Sequence, residues 1–137
     1  MIMAAMPPKF DVSREEIDRV VAAFYGRVRE HPGLGRIFAV HVRDWPGHEA
    51  RVADFWANAI LHEKGYDGNP LQVHREAGNV RPGMFETWLG LFDAVLAREL
   101  RPDQAAAWSA LAHKIGGSLR AGVVERMRGP GGVPILS

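Results

Sequence analysis

The chain has 137 residues, of which 47% are hydrophobic and 24% charged, with a formal net charge of +1 and no cysteine. This length and composition predict one folded domain, and they exclude a second domain, an intrinsically disordered chain, disulfides, cysteine-ligated metal and thiol catalysis. Because charges of both signs are mixed along the chain and no apolar run reaches the roughly 20 residues of a membrane span, we expect a cytoplasmic protein that binds neither nucleic acid nor membrane.

The first part of the chain predicts a loose start followed by a long helix. Residues 1–12, which include two adjacent prolines, are expected to form a flexible leader. Ser13 and Glu16 then have the spacing of a capping box in front of a strongly periodic segment. Its apolar residues recur at helical spacing and form one stripe: Ile17, Val20, Val21, Phe24, Tyr25 and Val28. Pro32 ends this helix, and the apolar residues up to Phe38 predict one or two further helical turns.

A second long helix is predicted from Asp44, which can cap it, to about Glu63. Its inward side carries a histidine among hydrophobic residues: Trp45, His48, Val52, Phe55, Trp56, Ala59 and Ile60. Residues 64–70 have the composition of a turn, after which residues 71–76 suffice only for a short helix. Residues 78–83 form a second loop.

Two further long helices follow this loop. One extends from Met84 to near Arg101, and the next starts at Pro102, since proline is favoured in the first turn of a helix. No segment alternates between apolar and polar residues as a strand does. Residues 129–137 are rich in glycine and are expected to form a flexible tail. We therefore predict an all-α protein with one domain over residues 13–128.

Two of the six histidines lie at positions that suit a functional role. His48 falls on the apolar side of the second long helix, so it is either a core histidine satisfied by one hydrogen bond or a residue that faces a ligand. His74 lies in the short helix between two loops, and its imidazole is either a surface group or aimed at the iron of a cofactor. The spacings typical of zinc hydrolases, serine hydrolases and nucleotide-binding loops are missing.

Several aromatic and charged residues allow a structural or a functional interpretation. The hydroxyl of Tyr25 and the indole N–H of Trp88 lie on apolar stripes, so each needs a hydrogen-bonding partner or a ligand. For Trp45 and Trp108 we favour ordinary core filling. Five charged residues are most simply part of a solvated face: Asp18, Arg19, Arg29, Glu49 and Arg98.

In their order and spacing, these residues resemble the truncated haemoglobins, most closely the third group of that family. The resemblance extends from about Ile17 to Val123. Its positions before the loops are Phe24, Tyr25, Val28, Leu34, Gly35, Ile37, Phe38, Trp45, His48, Phe55 and Trp56. The later positions are Gly65, Tyr66, Gly68, Pro70, Leu71, His74, Phe85, Trp88, Leu89, Leu91 and Phe92. Adjacent glycine pairs, which mark the other two groups, are missing around Gly33 and before Pro70.

The resemblance implies a two-over-two helical sandwich around haem b. His74 would be the proximal iron ligand, and three polar residues would lie on the distal side: Tyr25, His48 and Trp88. The apolar lining would include Phe38, Val52, Phe55 and Trp56, with Tyr66 as a further haem contact. Where the group usually has a leucine- and proline-rich stretch after the proximal histidine, this chain has polar residues. Arg75 and Arg81 are therefore candidates, by charge alone, to bind the haem propionates.

The same resemblance implies a function for the polar distal residues. Hydrogen bonds from Tyr25 and Trp88 would slow the release of O2, and His48 would act as a gate or as a second iron ligand. We thus expect a protein that binds O2, NO or CO and performs redox chemistry, as a nitric oxide dioxygenase or with peroxidase-like activity, rather than transport. Such turnover needs a reductase, which the sequence does not identify. The alternative is a small helical binding module without haem, in which His48 and His74 are structural.

Overall fold

The structure is a computed structural model that describes residues 7–66 and 81–128. All regular structure within those two ranges is helical, as the sequence predicts. The helices are α1 (Arg14–Glu30), α2 (Pro32–His41), α3 (Trp45–Leu61), α4 (Met84–Glu99) and α5 (Pro102–Arg128). None of these helices combines the length and the apolar composition that a bilayer crossing requires.

Some predicted features fall outside the described residues. They include the short helix at residues 71–76, and with it His74 and Arg75. Residues 1–6 and 129–137, which the sequence assigns to a leader and a tail, also fall outside.

Side chains at the helix starts explain where α1 and α3 begin. The Ser13 hydroxyl accepts a hydrogen bond from the backbone N–H of Glu16 at 3.1 Å, and the Glu16 carboxylate accepts one from the Ser13 N–H at 3.0 Å. The Asp44 carboxylate accepts from the N–H of Gly47 at 3.2 Å. Both caps are as predicted, and they satisfy N–H groups that have no partner inside a helix. His31 caps α2 in the same way, since its Nδ1 accepts hydrogen bonds from the backbone N–H groups of Gly33 and Leu34. This cap was not predicted from the sequence.

The helices pack in two pairs that share an aromatic core. α1 contacts α3, α4 contacts α5, and α1 also contacts α4, which is the predicted two-over-two arrangement. At the centre, the rings of Trp56 and Phe92 are stacked, with centroids 5.7 Å apart. Phe24 meets Phe92 edge-on at 5.1 Å, and Trp108 meets it edge-on at 5.5 Å. Large rings from α1, α3, α4 and α5 therefore meet at the centre of the core, and burial of their apolar surface stabilises the fold.

The segment directly before α1 packs against the helices. Val12 is buried, and the ring of Phe10 lies 6.3 Å from that of Trp108. The backbone N–H of Lys9 donates to the carbonyl of Ile60 at 2.9 Å. Residues 1–12 are expected from the sequence to form a flexible leader, but the described residues 7–12 hold two apolar side chains and a backbone hydrogen bond against the core. Burial of those side chains offsets the entropy lost on ordering the segment.

Gly35 allows α2 to cross the end of α1 at close range. A Cβ atom at this position would lie 2.9 Å from the carbonyl oxygen of Arg29 and 3.0 Å from that of Val28. Both are backbone atoms of α1, so they cannot swing aside as a flexible side chain would. The missing side chain thus sets the approach of α2, the helix that carries Phe38.

We expect Gly35→Ala to lower the free energy of unfolding by about 1–3 kcal/mol, because the added methyl forces the two helix backbones apart. Gly90→Ala is the matched control, since a Cβ there meets no atom within 4 Å, and it should raise stability by up to about 1 kcal/mol through helix propensity. Urea denaturation of both variants measures the two effects. Equal stability of Gly35→Ala and the wild type would contradict the close crossing.

Candidate functional site

Four aromatic side chains from three helices meet at one end of the α1/α3 pair. They are Tyr25 from α1, Phe38 from α2, and Trp45 and His48 from α3, and we call them the Tyr25–His48 cluster. The rings of Tyr25 and His48 meet edge-on with centroids 4.8 Å apart. Phe38 lies 5.7 Å from Tyr25 and 5.9 Å from His48. The structure therefore brings together two of the three predicted polar residues and one residue of the predicted apolar lining.

Trp45 belongs to the same cluster, although the sequence favoured core filling for it. Its ring lies 5.8 Å from His48, 6.0 Å from Tyr25 and 6.2 Å from Phe38. Residues three apart on a helix share one face, so the spacing of Trp45 and His48 was the available signal. Amphipathicity alone does not distinguish a tryptophan in the core from one beside a site.

His48 carries a buried polar atom whose hydrogen bond is missing. Within the part of the chain that the structure describes, its Nε2 is buried and has no hydrogen-bonding partner. Burial lowers the pKa of His48, and the positive charge of Arg51 lowers it further. The imidazole is therefore neutral at neutral pH, so one ring nitrogen can donate a hydrogen bond and the other can accept one. One unpaired nitrogen is compatible with a core histidine satisfied by one hydrogen bond, and it equally leaves an atom that can bond a ligand.

Tyr25 provides a hydrogen-bond donor beside this imidazole. The side chain is 4% exposed, and burial raises the pKa of its hydroxyl far above the ordinary value of 10.0, with a smaller contribution from the negative charge of Glu49. The phenol thus stays protonated at any physiological pH. Together, Tyr25 and His48 offer an O–H group and a neutral imidazole on an aromatic surface.

Trp88, the third predicted polar residue, is near this cluster but separated from it. Its ring is stacked on Phe92, with centroids 5.5 Å apart, and meets Phe24 edge-on at 5.6 Å. Phe24 in turn meets the neighbouring Tyr25 at 4.9 Å. Ring contacts in the described residues therefore connect Trp88 to Tyr25 through Phe24. Trp88 is only half-buried, which leaves part of the indole accessible.

The predicted apolar lining divides into two environments on α3. Val52 and Phe55 are half-buried, and Phe55 meets the half-buried Tyr66 edge-on at 5.3 Å. Trp56, by contrast, is buried in the core against Phe92. Half-buried apolar side chains thus continue along α3 from His48, which suits contact with a flat apolar ligand.

The candidate charged and metal-binding residues are placed only in part. Arg81 is exposed at the start of the second described range, whereas His74 and Arg75 lie outside the described residues. Among residues 7–66 and 81–128, no group of three or more His, Asp or Glu side chains is placed to hold a metal ion. The described residues of the Tyr25–His48 cluster offer hydrogen-bonding groups and apolar contacts.

Comparisons with known proteins agree with this architecture. No family model matches the chain. A curated group 3 truncated haemoglobin of Campylobacter jejuni subsp. jejuni serotype O:2 is 37% identical in an alignment of 93 residues, and the match covers 64% of this chain and 73% of that protein. The crystal structure of a group III truncated haemoglobin from Campylobacter jejuni aligns with a TM-score of 0.78 at 28% identity, covering 81% of this chain and 91% of that one.

We expect His48→Leu to raise the free energy of unfolding of the ligand-free chain by about 1 kcal/mol, since it removes a buried nitrogen that has no partner. The gain should be larger at about pH 5 than at about pH 8. The folded-state pKa of His48 lies below the ordinary value of 6.5, so near and below that pH the unfolded wild type binds more protons than the folded wild type. The wild type therefore loses stability through His48 as the pH falls, and the leucine variant has no such loss.

Chemical denaturation of both proteins at the two pH values measures this gain. A leucine variant that is less stable than the wild type at both values would mean that His48 is satisfied after all.

Proposed function

Because this chain belongs to the third group of the truncated haemoglobins, we propose that it binds haem b through His74 and uses the iron to take up diatomic ligands such as O2, NO and CO. The observation that carries the proposal is the Tyr25–His48 cluster, in which a protonated phenol and a neutral imidazole lie with ring centroids 4.8 Å apart. When bound, haem supplies an iron with an open position for such a ligand.

The described residues fit a haem. A porphyrin is a flat apolar disc, and Val52, Phe55 and Tyr66 present half-buried apolar surface along the helix that carries His48. The unpaired Nε2 of His48 lacks only a polar group to bond, which a small ligand provides. The Nε1 of Trp108 in the core is also buried without a partner, so the proposal depends on the position of His48 beside Tyr25 and not on an unpaired nitrogen alone. At the rim, Arg75 and Arg81 are the proposed partners of the propionates.

Hydrogen bonding determines how fast the protein would release O2. Electron density moves onto O2 when it is taken up, so the Tyr25 hydroxyl would bond the ligand more strongly than it bonds a neutral group. Such a bond contributes about 1.5–3 kcal/mol, and each 1.4 kcal/mol is about tenfold in an equilibrium constant. The indole N–H of Trp88 would add a second bond. The protein would therefore release O2 too slowly to serve as an efficient carrier.

Slow release suits chemistry on the ligand, and we propose that the protein oxidises nitric oxide with O2 or turns over peroxides. In either reaction, the neutral His48 would hold or pass a proton at its Nε2, and the surrounding rings of Phe38 and Trp45 would limit the access of water. Repeated turnover requires an electron donor, for which we propose a cytoplasmic reductase.

Protein expressed with haem available should show a strong Soret band, because the porphyrin that His74 would retain through the iron absorbs there. We expect His74→Ala to weaken or abolish the band in absorption spectra of the ferric, ferrous and CO-bound forms. The control is His113→Ala, since His113 pairs with Asp93 at 2.7 Å between α4 and α5. Absence of the band from the wild type, or unchanged spectra of His74→Ala, would remove the proposal.

Loss of the proposed donors should speed the release of O2. We expect Tyr25→Phe, and separately Trp88→Phe, to raise the O2 dissociation rate of the ferrous protein by about tenfold or more, because each removes one hydrogen bond to the ligand. Stopped-flow mixing with CO measures the rate. If wild type and Tyr25→Phe release O2 equally fast, Tyr25 does not bond the ligand.

A further inference from the structure

Two charged residues beside the Tyr25–His48 cluster join α1 to α3. A guanidinium nitrogen of Arg29 lies 3.3 Å from a carboxylate oxygen of Glu49. The guanidinium carbon of Arg29 also lies 4.9 Å from the centroid of the Trp45 ring. From the sequence, both charges were expected on a solvated face, yet the Glu49 side chain is only 19% exposed. We call Arg29, Trp45 and Glu49 the Arg29 clamp.

The clamp lies next to the cluster along both helices. On α1, Arg29 follows Tyr25 by four residues, so the two side chains share one face of the helix. On α3, Glu49 directly follows His48, and Trp45 lies three residues before His48. A helix is stiff over one turn, so a shift of α1 against α3 at the clamp moves Tyr25 against His48.

We propose that Arg29 and Glu49 are positioning residues, which fix the separation of α1 and α3 and thereby control how Tyr25 and His48 face a ligand and how readily it passes between them. The ligand-binding part of this inference rests on the proposed function, whereas the contact geometry does not. Both would act through the cluster, because Arg29 contacts Trp45 and Glu49 is the neighbour of His48 on α3.

The position of the ion pair matters more than its strength. Exposed ion pairs contribute little to stability, with a median near 0–1 kcal/mol, and this pair is partly exposed. Here, however, one guanidinium makes two contacts, a charge pair and a cation–π contact, and both reach α3 within four residues of His48. The negative charge of Glu49 also acts on the Tyr25 hydroxyl, which places Glu49 electrostatically close to the cluster.

The test compares Glu49→Gln with Glu99→Gln. The control removes a similar pair, since Arg19 and Glu99 also lie 3.3 Å apart and the Glu99 side chain is 25% exposed, but it joins α1 to α4. Arg29→Met should act like Glu49→Gln, and the double variant should add little to either single change because the two residues form one unit. Thermal unfolding checks that every variant folds. If a variant does not fold, Arg29→Lys is used in its place, because it keeps the charge but loses the planar stacking on Trp45.

The first readout needs no haem. In NMR spectra of the haem-free chain labelled in histidine and tyrosine, Glu49→Gln should shift the signals of the His48 imidazole and the Tyr25 ring, while Glu99→Gln leaves them in place. The His48 signal is assigned by its loss from His48→Leu. Equal effects of the two glutamine variants would overturn the proposal.

The second readout uses the haem-loaded protein and CO. After flash photolysis, CO rebinding in Glu49→Gln and Arg29→Met should change by about threefold or more, and Glu99→Gln should match the wild type. The CO stretching frequency should shift in Glu49→Gln but not when Tyr25→Phe is already present. Wild-type rates and frequencies in Glu49→Gln would overturn the inference. Failure of the wild type to take up haem would instead overturn the proposed function, and the NMR readout would still decide on the clamp.

Discussion

A buried polar atom without a hydrogen-bonding partner costs free energy, and the packing of α1 against α3 leaves one such atom at the candidate site. The Nε2 of His48 has no partner among the described residues, although its ring lies among three aromatic neighbours. An unsatisfied buried nitrogen destabilises a fold by about 1–3 kcal/mol. A small domain tolerates such a cost when the rest of its core is well packed, and strain of this kind is concentrated at functional sites.

The aromatic core explains how the fold tolerates that cost. Phe24, Trp56, Phe92 and Trp108 come from four different helices, and their rings contact one another at centroid distances of 5.1–5.7 Å. Since Phe24 and Tyr25 are adjacent on α1, one helix contributes to the core with one side chain and to the cluster with the next. Packing in the core therefore holds the polar groups at the site in place.

Helical periodicity was enough to predict most of the fold but only part of the site. The capping box at Ser13 and the start of α3 at Asp44 follow from local hydrogen bonding, so the sequence around each residue sufficed. His48 stood out because it replaced an expected hydrophobic residue. The contact of Arg29 with Trp45 and Glu49 joins two helices, and nothing in a single stripe specifies which charge on one helix meets which on another. Trp88 was predicted on the same side of the haem as Tyr25, and in the structure the two rings share a contact with Phe24.

The docked segment before α1 has a practical consequence for handling the protein. Lys9 is bonded to the last turn of α3, Phe10 covers Trp108 on α5, and the Gln104 amide donates to the carbonyl of Asp11 at 3.1 Å. This segment thus connects the end of α3 with the start of α5, two helices that are distant in sequence. A shortened version that began at Ser13 would leave the indole of Trp108 without Phe10 and the carbonyl of Ile60 without the N–H of Lys9. The minimal folding unit therefore starts before the first helix.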